Sequence, residues 1–281
     1  RGGVMRIAPD GTQKFVGQRA DDQFARAADP HERFMKRTLP NGLAFARNGD
    51  FVIANFGTDA LEVMDRDGRS RVLYDSIGGR PIGKVNFVLR DSRDRLWLTV
   101  STRVNPWVDA VRPDLADGFV ALVDEEGLRI VAEGFAFTNE VRLDAREEWL
   151  YVVETTGKRV SRMRVGPGGA LSGREVFGPS NLGTGFPDGI AFDAFGNLWC
   201  TMVMADRLIA ITPEGEVIEL LDDGDPVATA ELERHFAAGT VTTDIMMRAR
   251  GTVAPWMASV TFGGADLATA YLGSLVGTRI P

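Results

Sequence analysis

The sequence predicts an all-β chain, a six-bladed β-propeller of four-stranded antiparallel blades around a central channel. Three observations lead there. Four segments align without a gap: "NGLAFARNGDFVIAN" from Asn41, "NFVLRDSRDRLWLTV" from Asn86, "NEVRLDAREEWLYVV" from Asn139 and "DGIAFDAFGNLWCTM" from Asp188. Their starts lie 45, 53 and 49 residues apart, the spacing of a four-stranded blade with variable insertions. Almost no segment carries the 3.6-residue period of a helix, which rules out alternating strands and crossover helices.

The elements follow in order. The opening "GGVMRIAPDGTQKFVG" reads as strand, turn and strand, the second half of a blade. Within each of the four repeats an apolar residue lies two positions on, at Leu43, Val88, Val141 and Ile190, and a second strand begins ten positions on, at Phe51, Leu96, Trp149 and Leu198. Between them, five positions on, three repeats carry an aspartate: Asp91, Asp144 and Asp193. Hairpins such as "DALEVMDRDGRSRVLYD" and "DRLIAITPEGEVIELLD", turning at Asp-Gly and Glu-Gly, supply the other half of each blade. Residues 101–118, "STRVNPWVDAVRPDLADG", lengthen one connection as binding loops do; Trp107 and Arg112 are candidates to close over a ligand, and a plain surface excursion is the alternative. The stretch 227–239, "VATAELERHFAAG", reads as a short helix in an insertion before a weaker fifth repeat near Ala258. With 281 residues the chain suits one domain spanning 1–281. The opening half-blade and the close at "TRIP" carry the expectation that N-terminal strands and a short C-terminal end are missing.

Composition narrows the partners. Apolar residues make up 44% of the chain and charged ones 25%, and no apolar run reaches the roughly 18 residues of a membrane span, so a membrane is not expected as a partner. A net charge of −7 without a basic cluster argues against nucleic acid and favours small molecules or metal cations. The single cysteine, Cys200, excludes an intrachain disulfide and fits a reducing, cytoplasmic compartment.

The repeats also point to a site. Innermost strands of a propeller run beside its channel, so residues at one repeat position converge at one end of it. Asn41, Asn86, Asn139 and Asp188 share such a position, and a ring of amide and carboxylate oxygens suits a hard cation such as Ca²⁺, which takes about six to eight oxygen ligands. The competing account makes these residues ordinary turn formers before glycine. Phe87 and Glu140 follow two of them where a turn favours glycine, which weakens that account.

At three stretches, "FPDGIAFDAFGNLWCTM", "FTNEVRLDAREEWLYVVET" and "SVTFGGADLATAYLGS", the chain resembles the senescence marker protein (regucalcin), gluconolactonase and luciferin-regenerating enzyme family of metal-dependent propeller lactonases. The resemblance implies a hydrolase that opens a lactone or related ester with one divalent cation, Ca²⁺ first and Zn²⁺, Mn²⁺ or Mg²⁺ next. It implies metal ligands at Asn139 and Asp188 with Asn86 close by, and a further glutamate that would precede Arg1. Asp188 would double as general base, and Lys84 would contact substrate. Two departures mark this chain: "KVNF" places Phe87 where the family has an acidic residue, and Glu140 replaces a glycine. An apolar wall at Phe87, or packing beside it, would favour a less hydroxylated lactone. The substrate-binding candidates are thus Lys84, Asn86, Phe87, Glu140, Asn41, Trp107 and Arg112. The segment from Gly134 to Val165 is also similar to strictosidine synthase-like relatives, whose condensation needs no metal; a propeller that binds a ligand without catalysis is the reading from another class.

Other chemistry finds no residues. There is no G-x-S-x-G, and the only histidines, His31 and His235, are expected at the surface or in structural roles, with His31 the better placed to reach a pocket. Cys200, in the middle of a strand, is expected in the core.

Overall fold

Alternating apolar residues broken by tight turns form antiparallel strands over most of the described residues. The computed structural model describes residues 2–19, 38–277 and 279–281. His31 lies outside the described residues. Contacts divide the chain into two compact units: one runs to Arg103 and takes in Phe119–Ala132, and the other comprises Val104–Gly118 and Glu133–Pro281.

The first unit opens with a two-stranded hairpin, β1 (Gly3–Ile7) and β2 (Gln13–Gly17). A four-stranded antiparallel sheet follows, β3 (Pro40–Phe45), β4 (Phe51–Asn55), β5 (Ala60–Met64) and β6 (Ser70–Tyr74) in sequential order. After a minor hairpin, β7 (Ser76–Ile77) with β8 (Arg80–Pro81), comes a second four-stranded sheet: β9 (Val85–Arg90), β10 (Leu96–Val100), β11 (Gly118–Asp124) and β12 (Gly127–Phe135). Apolar residues from these sheets, among them Val52, Leu61, Val88, Leu98, Val100 and Phe119, form the core of this unit.

The second unit carries the sheets β13 (Thr138–Leu143), β14 (Trp149–Glu154), β15 (Arg159–Val165), β16 (Leu171–Phe177) and β17 (Phe186–Phe192), β18 (Leu198–Val203), β19 (Arg207–Ile211), β20 (Val217–Asp222). Helices α1 (Pro226–Ala237) and α2 (Thr243–Arg248) follow, and then a hairpin of β21 (Met257–Gly263) and β22 (Thr269–Ser274). The helix expected over 227–239 is α1; Asp225 caps it by accepting from the N–H groups of Val227 and Ala228, and Pro226 fits its first turn, where no N–H is needed. Helix α2 is too short to leave a readable period. Four complete four-stranded antiparallel sheets are therefore present among the described residues, with β1–β2 and β21–β22 as separate two-stranded sheets.

The second strands begin at Phe51, Leu96, Trp149 and Leu198, as the repeat spacing required. The aspartates ahead of three of them explain that regularity. Asp91 accepts from the N–H groups of Arg93 and Arg95 and from the indole of Trp97, and Asp193 does the same for Phe195, Asn197 and Trp199. Asp144 accepts from the N–H groups of Glu148 and Trp149. Each carboxylate satisfies the donors of its own turn and so sets where the returning strand starts.

Candidate functional site

Asn41, Asn86, Asn139 and Asp188 lie within strands, in β3, β9, β13 and β17, and each sits at a break in register. Pro40 pairs with Asn55 but Gly42 with Ala54; Val85 pairs with Val100 but Phe87 with Thr99; Thr138 pairs with Glu154 but Val141 with Val152; Pro187 pairs with Met202 but Ile190 with Cys200. These are β-bulges, which add a residue to one strand and re-aim its side chain. The fifth repeat has the same break, between Met257 and Ser259, with Ala258 at the bulge. The turn account of these residues is thereby replaced. The glycines after Asn41 and Asp188 have a packing cause instead: a Cβ on Gly42 would lie 2.6 Å from Phe87 Cα, and one on Gly189 would lie 2.5 Å from both Ala258 O and Ser259 Cα.

In the first unit Asn41 Nδ2 donates to the backbone oxygen and the Oδ1 of Asn86, at 3.1 and 3.0 Å, and Asn86 Nδ2 donates to Ser101 Oγ. Asn86 is thus held on both sides of its amide. Lys84 is buried; its Nζ lies 2.8 Å from Asp59 Oδ1, beside the ring of Phe56. Phe87 is 8% exposed with its ring close over Gly42, which places it in the packing between β9 and β3.

In the second unit Asn139, Glu140 and Asp188 come together. Asn139 Nδ2 donates to Thr155 Oγ1 at 3.1 Å, and that hydroxyl donates to the backbone oxygen of Pro187 at 2.9 Å, so one threonine ties Asn139 to the residue before Asp188. Asn139 Oδ1 is buried and accepts no hydrogen bond. A carbonyl oxygen in that state costs roughly 1–3 kcal/mol unless something meets it. Burial raises the Asp188 carboxyl well above the usual carboxylate range, the negative charge of Glu140 adds to this, and a hydrogen bond from Asn139 opposes it. Glu140 is also raised by burial, against the pull of Arg142 and of the Ile190 N–H. Its Oε2 lies 2.9 Å from Arg142 Nη2 and accepts from Ile190 N at 3.2 Å.

Oxygen donors alone make up this group, the carboxyls of Asp188 and of Arg142-paired Glu140 and one unpartnered amide oxygen, which suits a hard divalent cation better than a site of His and Cys would. The residues fit such an ion at Asn139 and Asp188. No group of three or more His, Cys, Asp or Glu side chains converges as a metal cluster among the described residues.

The remaining candidates have other occupations. Trp107 is buried, its ring 6.2 Å from that of Phe137, so it already forms part of the second unit's packing. Arg112 is exposed and pairs with Asp114 at 3.1 Å. Cys200 is fully buried, and burial pushes its thiol up. His235 is on α1, its Nδ1 2.8 Å from Thr240 Oγ1. Sequence reasoning missed Thr99 and Thr201, whose hydroxyls accept the N–H groups of Phe87 and Gly189, at 3.0 and 2.9 Å, and thereby support two of the bulges. Both occupy one position of the aligned repeats, which was the available signal. Thr155 closes the stretch "FTNEVRLDAREEWLYVVET" on which the family resemblance rests, and Arg142 gave no signal.

A family model described as SMP-30/gluconolactonase/LRE-like region matches residues 4–230. Among curated proteins the chain is similar to the adipocyte plasma membrane-associated protein of Danio rerio, 30% identical over 181 residues, 61% of this chain and 42% of that protein. Its counterpart from Salmo salar is 29% identical over 172 residues, 58% of this chain and 41% of that protein. The chain spans about two fifths of the length of these curated relatives. Among solved structures it is similar to a gluconolactonase from Xanthomonas campestris, with a TM-score of 0.66 and 18% identity over 97% of this chain and 75% of that one. Regucalcin from Agrobacterium tumefaciens, a calcium-binding protein, gives 0.63 and 16% over 96% and 74%, and a luciferin-regenerating enzyme 0.62 and 16% over 84% and 70%. At such identities the likeness is one of fold, of the propeller type. No helix among the described residues is long and apolar enough to cross a membrane.

Proposed function

This chain belongs to the SMP-30/gluconolactonase/LRE-like family, and on that premise we propose that it is a hydrolase of the lactonase type, opening a lactone or related ester with a divalent cation held at Asn139 and Asp188. The observation that carries the reading is the buried Oδ1 of Asn139, which has no hydrogen-bond partner, on a side chain that also hydrogen-bonds the Asp188 carboxyl. A bound divalent cation supplies Lewis acidity toward a carbonyl oxygen and toward water. Asn139 presents its Oδ1 as a neutral ligand, with Thr155 fixing the amide by taking its N–H₂ group. Asp188 supplies the anionic ligand and the proton acceptor. Its burial and the neighbouring Glu140 favour its protonated form, and a bound cation would favour the ionised form, the one that can accept a proton from an attacking water. Among similar solved structures, one is a gluconolactonase and another a calcium-binding protein, which agrees with both halves of the proposal.

Within the first unit Lys84 pairs with Asp59 and Asn86 is held by Asn41 and Ser101, and the packed ring of Phe87 argues that its replacement would disturb the sheet before it altered substrate choice. The test is direct. Purified protein is assayed for acid release from sugar, alkyl and aromatic lactones, with Ca²⁺, Mn²⁺, Mg²⁺ or Zn²⁺ added and again with chelator. Cation-dependent turnover of at least one lactone is expected. Hydrolysis unaffected by chelator would remove the metal from the mechanism, and absence of hydrolysis with every cation would remove the lactonase reading.

A further inference from the structure

Glu140 follows Asn139 in its bulge, at the place where Gly42 follows Asn41 and Gly189 follows Asp188. Those glycines face the backbone of a neighbouring strand with no room for a Cβ. Glu140 instead sends a carboxylate into a buried space, where a charge persists only with partners. Its partners are specific. Arg142, two residues along the same strand, neutralises it at 2.9 Å. The other is the N–H of Ile190, at 3.2 Å, on β17.

Ile190 is where β17 regains its pairing with β18 after the bulge that carries Asp188. The N–H before it, of Gly189, is taken by Thr201 on β18. Both amides after Asp188 are therefore held by side chains, one from within its own sheet and one from β13, the strand that bears Asn139. Thr155 adds the complementary tie on the other side, from Asn139 to Pro187. Asp188 is thus bracketed by two links to β13, through the residue before it and through the second residue after it.

We infer that Glu140 is a positioning residue: through the N–H of Ile190 it locks the bulge of β17 against β13 and so holds the Asp188 carboxyl next to the Asn139 side chain as one cation-binding pair. The inference rests on the cation-binding reading of that pair. It assigns Glu140 neither to the cation nor to substrate. What matters is an acceptor oxygen at the end of the side chain, which glutamine retains and alanine lacks.

The experiment compares wild type, Glu140→Ala and Glu140→Gln as full chains. Hydrogen exchange at the Ile190 amide is read without added cation, and Ca²⁺ and Mn²⁺ affinities are read by calorimetric titration. Loss of a hydrogen bond to a charged acceptor is worth about tenfold in an equilibrium. Glu140→Ala should therefore exchange the Ile190 amide about tenfold faster and bind the cation about tenfold more weakly, while Glu140→Gln recovers most of both. Exchange in Glu140→Ala equal to wild type would overturn the locking role, whatever the cation does. Faster exchange with unchanged affinity would overturn the link from Glu140 to the cation pair. Wild type binding neither cation would remove the metal reading and this inference with it, an outcome told apart from the first two because it shows before any variant is made.

Discussion

At the scale of single residues, buried charge separates the structural carboxylates from the one proposed for chemistry. Glu154 on β14 is fully buried and meets Arg159, Arg174, Ser161 Oγ and the N–H of Ala136, all within 3.0 Å. Burial alone would raise it; those donors outweigh burial and hold it at about 2 rather than 4.5. A carboxylate depressed in the folded state contributes stability above its unfolded value, and that contribution is lost as pH falls through the folded one. Glu154→Gln should therefore cost about 3 kcal/mol at neutral pH, with the difference from wild type shrinking between pH 4.5 and about 2, as urea unfolding at several pH values would read. Asp188 has the opposite environment: burial and the charge of Glu140 raise it, and a hydrogen bond from the Asn139 amide opposes them. Asp188→Asn keeps its shape and removes both the charge and the proton acceptor, so lactone turnover should fall by roughly two orders of magnitude or more, with far-ultraviolet circular dichroism unchanged.

At the scale of elements, the bulged first strands and the inserted helix decide what surrounds Asp188. Gly189 lets β17 lie against β21, and backbone atoms there have little freedom to move aside. Gly189→Ala should destabilise the protein by roughly 1–3 kcal/mol, measured by denaturant unfolding, and should lower cation affinity as well because Asp188 is its neighbour. Helix α1 is fastened to the start of the same strand. Lys158 Nζ pairs with both oxygens of Glu233, at 2.5 and 2.6 Å, and lies over the rings of Phe186 and Phe236, which themselves meet edge to face 5.0 Å apart. Burial lowers the affinity of Lys158 for its proton while Glu233 sustains it. Glu233→Gln leaves that buried ammonium without a counter-charge and should cost about 3 kcal/mol, whereas Lys158→Met with Glu233→Gln together should recover much of the loss, as a double-mutant cycle would show.

At the scale of the whole chain, the proposed cation links function to stability. Asn139 and Asp188 both belong to the second unit, so a ligand that binds them stabilises the folded form of that unit by mass action. Free Ca²⁺ at one hundred times its dissociation constant should add about 2.7 kcal/mol, seen calorimetrically as a rise in unfolding temperature with cation concentration. Asp188→Asn should abolish the rise. An equal rise in that variant would place the cation elsewhere.

The strands and their order were legible in the sequence because each rests on local causes: two-residue alternation, Asp-Gly and Glu-Gly turns, and aspartates such as Asp91 and Asp193 that bind their own turns. The equivalence of Asn41, Asn86, Asn139 and Asp188 was legible too, since repetition displays it without any contact. Their setting was not. Nothing local in the stretch from Asn139 announces a bulge, and a glycine after Asn41 looks the same whether a turn or a neighbouring backbone requires it. The reach of Glu140 to Ile190, 50 residues away, and of Lys158 to Glu233, 75 residues away, joins segments that share no local pattern. Such contacts arise only when sheets pack, because a buried charge selects its partner by proximity in the folded chain rather than by distance along it.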